Sequence, residues 1–339
     1  MNSNYPNLPV IHAIEQVISR GNLADSANIS HPLISLLKNN GLLYNDVSTA
    51  GLSFQVESGI RGSKAIVQVQ LSNITATGIT NDGMLVETTA SRLTSAMVNW
   101  AEYPFSTYNS KFALTHREQQ YLEGNDLQRG VGILESNVKA TMGGFHTLVD
   151  SDLNSNTTGS ESKVMGIRFP LSTSQTVGGI SQSAAASWQA NVDTTAAAIS
   201  LDVLRSGMSM CESNTALNGY RGVDLIILTE KSGSRLWSTV AGLIGARQQL
   251  PGGDGNLGFP YITLDGAIIA KNPNGVSGEA LFLNTKSWFA YSDPQPTLVG
   301  DGPQKLDGRA AFEYDFVWTW MLGVSAPKLN GVRTNLTTS

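Results

Sequence analysis

The first third of the chain consists of apolar segments that are too short to be buried by themselves, and this limits the possible folds most. Ile11, Ile14, Val17 and Ile18 form a short amphipathic segment that ends at Gly21. A second apolar cluster, at 34–37, ends at an Asn-Gly pair, which terminates helices. Because neither segment can cover its own apolar face, we expect residues 1–53 to form an arm that lies on another surface.

A two-stranded excursion follows the arm. Residues 64–71 alternate between apolar and polar side chains, which is typical of a strand with one exposed face. The turn-forming triplet at 81–83 predicts a reversal, and Met84–Glu87 is the expected return strand. An isolated hairpin of two strands is marginally stable in water, so this one should also rest on a neighbour.

Three helices are predicted in the rest of the chain. Thr115–Glu118 has a capping-box pattern, and four apolar residues at helical spacing follow it, up to a stop at Gly143-Gly144. That apolar face consists of Leu127, Val131, Leu134 and Val138. The second helix has Leu201, Leu204, Met208 and Cys211 on one face and a stop at Asn218-Gly219. The third helix carries Leu236, Val240 and Leu243.

The remaining segments favour strands. Residues 151–187 are poor in charge and predict a linker or loop with one short strand at Val164–Phe169. The continuous apolar run Val223–Thr229 predicts a buried strand. Further strands are expected at Ile262–Leu264, Ala267–Ala270, Leu281–Leu283, Trp288–Tyr291 and Ala310–Val324. The predicted class is therefore mixed α+β.

The charge content indicates a covered surface. Charged residues make up 14% of the chain, against about 25% in ordinary soluble domains, so partners are expected to cover much of the surface. The net charge of −5 lacks the basic stripe that sequence-specific nucleic-acid binding requires. Cys211 is the single cysteine, which excludes an intrachain disulfide and a four-cysteine zinc site and favours a reducing compartment.

The sequence also predicts no membrane segment. The N-terminus has no basic region, and Glu15 and Arg20 interrupt its apolar stretch, so it does not resemble a signal peptide. The longest apolar stretch near the end, Phe316–Ala326, is far shorter than the ~20 residues of a spanning helix.

No catalytic, cofactor-binding or metal-binding site is predicted. Gly253–Gly258 matches a dinucleotide-binding pattern, but a predicted helix precedes it and Phe259-Pro260 blocks a helix start, so a glycine loop is expected. The histidines lack metal-ligand spacing and are expected to be structural or on the surface; they are His12, His31, His116 and His146. Cys211 is predicted to be a small buried hydrophobic residue.

Two carboxylate pairs and five tryptophans are further candidates for catalytic or binding sites. Asp150 and Asp152 are expected in a loop, whereas Glu313 and Asp315 would share one face of a strand and bind cations or basic partners. Neither pair supports a glycosidase. Five scattered tryptophans favour packing over a sugar-binding platform; they are Trp188, Trp237, Trp288, Trp318 and Trp320. The absence of a catalytic constellation, together with the arm and the excursion, indicates an assembly protein.

The order of elements over residues 190–336 carries a family resemblance. It consists of the helix Ser200–Arg205, the strand Val223–Thr229, the helix with Leu236-Trp237, and then Leu264–Ala270, Ala280–Phe289 and Met321–Val332. This order resembles the major capsid proteins of tailed bacteriophages, which have the Hong Kong 97-like fold.

The resemblance implies a domain layout. Residues 1–53 would be the N-terminal arm and 54–111 the extended E-loop. Residues 112–190 would hold the spine helix, at 115–142, and the peripheral domain; 191–300 the axial domain; and 301–339 a C-terminal return to the peripheral domain.

The same resemblance implies a role as the shell subunit of a virion. Pentamers and hexamers would form an icosahedral shell around double-stranded DNA, with assembly in the host cytoplasm. The implied partners are a separate scaffolding protein and a portal, with a decoration protein as an optional third. Members of the family that crosslink use a lysine and an asparagine; Lys64 and Lys111 flank the excursion, but no motif selects them, so no covalent crosslinking is predicted.

Three other functions stay open at this point. A bacterial nanocompartment shell shares the fold but encloses protein cargo. A tail-tube subunit would be mostly β, which the predicted helix at 200–218 disfavours. A hydrolase would need a pocket that joins residues such as His146 and Asp150.

Overall fold

In the part of the chain that the structure describes, two large β-sheets, three two-stranded sheets and three helices form the body. The computed structural model describes residues 55–58, 64–70, 98–115, 118, 127–212, 222–230, 235–244, 261–292, 297–305 and 311–338. The helices are α1 (Leu127–Leu153), α2 (Leu201–Glu212) and α3 (Leu236–Ile244).

The strands fall into a first group before α2 and a second group after it. The first group is β1 (Gln55–Ser58), β2 (Lys64–Gln70), β3 (Val98–Pro104), β4 (Ser106–Thr115), β5 (Thr176–Val177), β6 (Ile180–Ser181), β7 (Asn191–Asp193) and β8 (Ala197–Ala198). The second group is β9 (Leu225–Thr229), β10 (Tyr261–Leu264), β11 (Ala267–Asn272), β12 (Ala280–Leu283), β13 (Trp288–Ser292), β14 (Thr297–Lys305), β15 (Ala311–Val324), β16 (Gly331–Arg333) and β17 (Leu336–Thr337).

The first sheet is built around the long strand β15. Strand β4 pairs antiparallel with residues 311–320 of β15, so β13 and β14 pair with its opposite edge, and β1 lies parallel to β13. Alternate β15 side chains from Tyr314 to Trp320 are at most 1% exposed, whereas Glu313 and Asp315 are partly exposed. Trp318 and Trp320 stack with ring centroids 5.1 Å apart. This is the alternation of a sheet with one buried face.

The second sheet has six strands in the order β10-β11-β9-β12-β16-β7. Its central strand β9 is buried along its whole length, as the continuous apolar run predicted. Helices α2 and α3 cover one face through residues such as Leu204 and Val240. Gly207 of α2 allows this contact, because a Cβ at this position would overlap the ring of Phe282.

The opposite face of the six-stranded sheet shares its core with the first sheet. Leu225 and Leu283 of the six-stranded sheet belong to the same buried apolar cluster as Phe316 and Trp320 of β15. Helix α1 packs against β4, and its residues Phe145, Val149 and Leu153 enter this cluster. The two sheets are therefore joined by a continuous apolar core.

Helix α1 departs from its predicted end. The reciprocal contact of the capping box is present: the backbone N–H of Thr115 donates to Glu118 Oε2 (2.8 Å), and that of Glu118 donates to Thr115 Oγ1 (3.3 Å). Thr115 is the last residue of β4, however, and α1 begins at Leu127, so the predicted helix start at 115 is wrong for α1. The predicted stop at Gly143-Gly144 is wrong, because α1 continues to Leu153. Glycine costs a helix only about 1 kcal/mol relative to alanine, and burial of the last two turns of α1 outweighs this preference.

The region predicted as a linker is part of the core. Residues 151–153 belong to α1. Residues 164–166 are irregular and 167–169 form a turn, so the predicted strand Val164–Phe169 is wrong. Val164, Met165, Ile167 and Phe169 are between 1% and 7% exposed. The backbone in this segment bonds to other loops and to the end of α1, as in the bond from Ile167 N–H to the Leu153 carbonyl (2.9 Å). Residues 164–169 are buried, but their backbone bonds to loops and to α1 instead of to a neighbouring strand. This explains why the apolar run does not form a strand.

The remaining predictions concern Leu243 and segments that precede or follow these elements. Leu243 does not complete the buried face of α3, because it is 52% exposed while Leu236 and Val240 are buried. The strand that pairs with β2 is β3, and the predicted return strand Met84–Glu87 lies outside the described residues. The arm 1–53, the turn at 81–83 and the stop at Asn218-Gly219 also lie outside them.

Candidate assembly surfaces

The hairpin of β2 and β3 has one face that is packed on the body. The strands pair antiparallel from Lys64–Pro104 to Gln70–Val98. On the packed face, Val69, Ala101 and Tyr103 are at most 3% exposed. The Tyr103 hydroxyl donates to the carbonyl of Val324 (2.6 Å), and its ring meets Phe289 edge-on. Burial raises the pKa of Tyr103 far above its usual value. This face anchors the hairpin to β13 and β15.

The opposite face of the hairpin presents large apolar side chains to solvent. Ile66 is 61% exposed and Trp100 is 57% exposed. Glu102 lies opposite Ile66, so Ile66 and Trp100 are diagonal neighbours on one face. A single ion pair between Lys64 Nζ and Glu102 Oε2 (3.0 Å) flanks them. We name this face the outer hairpin face; it consists of Lys64, Ile66, Gln68, Trp100 and Glu102.

An open cavity of about 370 Å³ lies beside β3, on the side opposite the outer hairpin face. Its lining includes Asn99, Gly179, Ile180, Ser181, Ala184 and Ser187 and, in its described part, no charged side chain. Gly178 connects this wall to the hairpin: its carbonyl accepts a hydrogen bond from Glu102 N–H (3.0 Å). A Cβ at Gly178 would lie 2.8 Å from that of Ala101, and its φ of +58° also favours glycine.

A buried glutamine holds the wall of this cavity in place. Gln182 is fully buried, and its Nε2 donates to the carbonyls of Pro170 (2.8 Å) and Trp188 (3.1 Å). Its Oε1 accepts from the backbone N–H of Gln175 (3.1 Å). The indole N–H of Trp188 donates to the carbonyl of Val177 (3.1 Å). Because each of these buried polar groups has a partner, the wall is a defined surface rather than a loose loop.

The first sheet has a polar face with one cation between two carboxylates. Lys111 Nζ lies 2.6 Å from Glu313 Oε1 and 3.3 Å from Asp315 Oδ1. The bond from Lys111 lowers the pKa of Glu313, and its bonds to the two carboxylates raise the pKa of Lys111. Glu313 and Asp315 thus share one face as predicted, and the basic group that they bind is in their own chain.

The other predicted carboxylate pair is buried. Asp150 and Asp152 lie in the last turn of α1 and are 1% and 5% exposed, so their predicted loop position is wrong. Asp150 Oδ2 accepts from Asn274 Nδ2 (2.6 Å), and Asp152 Oδ2 accepts from the Tyr108 hydroxyl (2.7 Å). Both residues link α1 to other elements of the body.

Cys211 is a buried packing residue on α2, as predicted. It is 1% exposed, and burial raises the pKa of its thiol to about 12. The tryptophans at 188, 288, 318 and 320 are fully buried, which confirms packing rather than a sugar-binding platform for them. Trp237 is partly buried, with Lys271 Nζ 5.5 Å from its ring centroid.

Of the remaining motif residues, only some lie in the part of the chain that the structure describes. His146 lies on α1, while the other three histidines and Gly253–Gly258 lie outside the described residues. Within the described ranges, no group of three or more histidine, cysteine, aspartate and glutamate side chains is arranged to hold a metal ion. The helices of the described part include none that is both long and apolar enough to span a bilayer.

Trp100 is the exposed residue that the sequence analysis missed. It is the first of the six tryptophans along the chain, and the sequence pattern singled out only the other five. Alternation over residues 98–104, with Trp100 and Glu102 on one face and Ala101 and Tyr103 on the other, is the signal that could have shown it.

Comparisons with known proteins identify the fold. No family model matches the sequence, and no curated protein resembles it at a significant level. Solved structures do match: a chain of the cyanophage A-1(L) capsid asymmetric unit aligns with a TM-score of 0.65 at 12% identity, over 91% of this chain and 94% of that one. A chain from the capsid of a native GTA particle aligns with a TM-score of 0.54 at 12% identity, over 89% of both chains.

A further match, to the capsid of an empty GTA particle, has a TM-score of 0.52 at 12% identity, over 87% of this chain and 92% of that one. These alignments span nearly the whole of each chain, so the likeness is not confined to a single motif. The α+β fold implied by the family resemblance is therefore confirmed, and the chain has the fold of phage capsid proteins.

Proposed function

We propose that the chain is the major capsid protein of a tailed bacteriophage. It assembles into pentamers and hexamers that form an icosahedral shell around double-stranded DNA. The observation that carries this proposal is the fold likeness to a cyanophage capsid chain over 91% of this chain. The exposed apolar face of the hairpin supports it, since contiguous exposed apolar groups mark interaction sites.

The proposed parts of the capsid subunit follow from the elements described above. The β2–β3 pair supports an E-loop within 54–111, and α1 is the proposed spine helix within 112–190. The six-stranded sheet, with α2 and α3, supports an axial domain within 191–300. The C-terminal segment 301–339 supplies β15 to the first sheet and β16 to the second. Residues 1–53 are the proposed N-terminal arm.

A structural role rather than catalysis fits the side chains of the body. Asp150, which a hydrolase pocket would need, is 1% exposed and bonded to Asn274. The net charge of −5 suits a wall that encloses DNA without sequence-specific contacts. A separate scaffolding protein and a portal, with a decoration protein as an optional third partner, would complete the particle. The shell would assemble in the host cytoplasm and form part of the virion.

Electron microscopy and sedimentation of the purified protein test this proposal. The protein is examined alone and after co-expression with the genes that neighbour its own. We expect closed isometric shells or rings of five and six subunits. A homogeneous monomer under every condition would overturn the proposal.

The contents of the particles distinguish the phage shell from a nanocompartment. Particles from cells that carry the neighbouring genes are treated with nuclease, and their nucleic acid and protein are then extracted. Nuclease-resistant double-stranded DNA is expected for a phage head. A defined protein cargo without DNA would instead identify a nanocompartment shell.

A further inference from the structure

We propose that Trp100 of one copy inserts into the cavity beside Asn99 of the next copy, so that subunits join head to tail. The proposal rests on the proposed self-assembly and names the residues of one contact. It combines two features that the same strand carries on opposite sides. One is an exposed aromatic side chain, and the other is an uncharged cavity with a fixed wall.

The first feature is the projecting side chain. Trp100 is 57% exposed at the centre of the outer hairpin face, with Ile66 diagonal to it. Tryptophan buries about 150–250 Å² when it is fully covered and is enriched among the residues that dominate binding energy. More than half of the Trp100 surface is exposed on the unassembled chain. Burying it would therefore supply a large part of the binding free energy of a contact between subunits.

The second feature is a cavity of suitable size and polarity. Its volume of about 370 Å³ is larger than one indole side chain, and Ile180 and Ala184 provide apolar surface in it. Asn99, Ser181 and Ser187 provide polar groups that an indole N–H can reach. The Gln182 network fixes the wall, so little ordering is needed when a side chain enters.

The arrangement requires two copies. Asn99 and Trp100 are consecutive residues of β3, and consecutive strand residues point to opposite faces. Trp100 therefore projects away from the cavity of its own chain and can fill only that of another. Because the ring and the cavity lie on opposite sides of β3, one copy would present each of them to a different neighbour. The contact is therefore heterologous, and such contacts propagate into rings when the rotation closes.

The charges of both surfaces favour a second copy over other partners. The outer hairpin face carries one cation and one anion, Lys64 and Glu102, that neutralise each other. The described lining of the cavity carries no charge. Nucleic acid would require a cationic surface, and a strongly charged protein would require an opposite charge. A second copy brings the exposed aromatic ring that the uncharged cavity fits.

Disulfide trapping between two variants tests the contact. Gln68→Cys places a thiol opposite Trp100 on the outer hairpin face, and Ala184→Cys places one at the cavity. The native Cys211 is 1% exposed and does not interfere. The two variants are co-assembled and mildly oxidised. We expect an interchain disulfide in the mixture and none when either variant is assembled by itself.

A matched control uses Ser206→Cys, on the exposed face of α2, in place of Gln68→Cys. Ser206→Cys mixed with Ala184→Cys should give no interchain disulfide. An equal yield from this pair, or no disulfide from the first pair in particles that do form, would overturn the inference. A disulfide to a different co-expressed protein would also overturn it.

A second measurement uses Trp100→Ala. We expect it to raise the protein concentration needed for assembly by about tenfold or more, while the thermal midpoint of the unassembled chain stays unchanged. Leu243→Ala removes apolar area at a comparably exposed position on α3 and should leave assembly near that of the wild type. Wild-type assembly by Trp100→Ala would overturn the inference and leave the capsid function intact. Failure of the wild-type chain to assemble under every condition would overturn both.

Discussion

The six-stranded sheet and the β2–β3 hairpin differ in how far their apolar side chains are buried within the chain. Strand β9 is covered on both sides, by α2 and α3 on one face and by the core shared with β15 on the other. The hairpin is covered on one face and leaves Ile66 and Trp100 in solvent on the other. The sheet is therefore covered on both faces within one chain, whereas the outer hairpin face would be covered only in the proposed assembly. Substitutions in the sheet should therefore change folding, and those on the outer hairpin face should change association.

The largest expected effect is in the six-stranded sheet. Phe282→Ala removes a fully buried ring that packs on Gly207, and we expect it to lower the free energy of unfolding by about 3–5 kcal/mol. Leu243→Ala, at a residue that is 52% exposed, should change it by no more than about 0.5 kcal/mol. Denaturant unfolding of the unassembled chain measures both. Similar values for the two variants would contradict the contrast between covered and exposed positions.

A somewhat smaller effect is expected where the two sheets meet. Asn330 is fully buried; its Oδ1 accepts from Trp288 Nε1 (3.0 Å) and from Asn284 N–H (2.8 Å), and its Nδ2 donates to Ser287 Oγ (2.8 Å). Asn330→Ala removes the acceptor of two buried N–H groups, the indole of Trp288 and the backbone of Asn284, so we expect a loss of about 3 kcal/mol. The control Asn156→Ala, at an exposed position, should stay within about 0.5 kcal/mol. A loss as small as that of the control would show that water replaces the amide.

The anchor of the hairpin should give a smaller and more local effect. Tyr103→Phe removes the hydrogen bond to the carbonyl of Val324 and keeps the ring against Phe289, so a loss of about 1 kcal/mol is expected. Amide hydrogen exchange should increase in β2 and β3 and stay unchanged in β9. Equal loss of protection in β9 would show that the hairpin is not a separate unit of local opening.

The smallest effect concerns the pH dependence of the polar face. The pKa of Glu313 is lowered below 4.5, so its stabilisation is present above pH 4.5 and is lost as the pH falls through the lower value of the folded state. The pKa of Lys111 is raised above 10.5, so its stabilisation is present below that pH and is lost as the pH rises through the raised value. Thermal midpoints should fall more steeply below pH 4.5 for the wild type than for Lys111→Met. Parallel curves would contradict this assignment.

Elements with a strong local pattern could be predicted from the sequence. The apolar run that contains Leu225–Thr229 requires burial on both faces, and the alternation over Lys64–Gln70 requires one exposed face. Both requirements are properties of adjacent residues. The order of such elements was also sufficient to indicate a capsid fold.

Features that depend on distant residues could not be predicted in this way. The continuation of α1 past Gly143 depends on the burial of Phe145 and Val149, which outweighs the low helix propensity of glycine. The pairing of β2 with β3 joins residues 64 and 104, across a segment whose own turn signal suggested a shorter hairpin. The cavity beside Asn99 is formed where β3 meets residues 179–187, and no local pattern describes such a junction.

The apolar cluster shared by the two sheets has a consequence for unfolding. Leu225 and Trp320 come from different sheets and lie in one buried cluster, so loss of either sheet would expose the core of the other. The body should therefore melt in one cooperative step, with equal calorimetric and van't Hoff enthalpies. Force applied to one sheet would therefore be passed to the other through the shared cluster. The two sheets would then respond to strain as one mechanical unit.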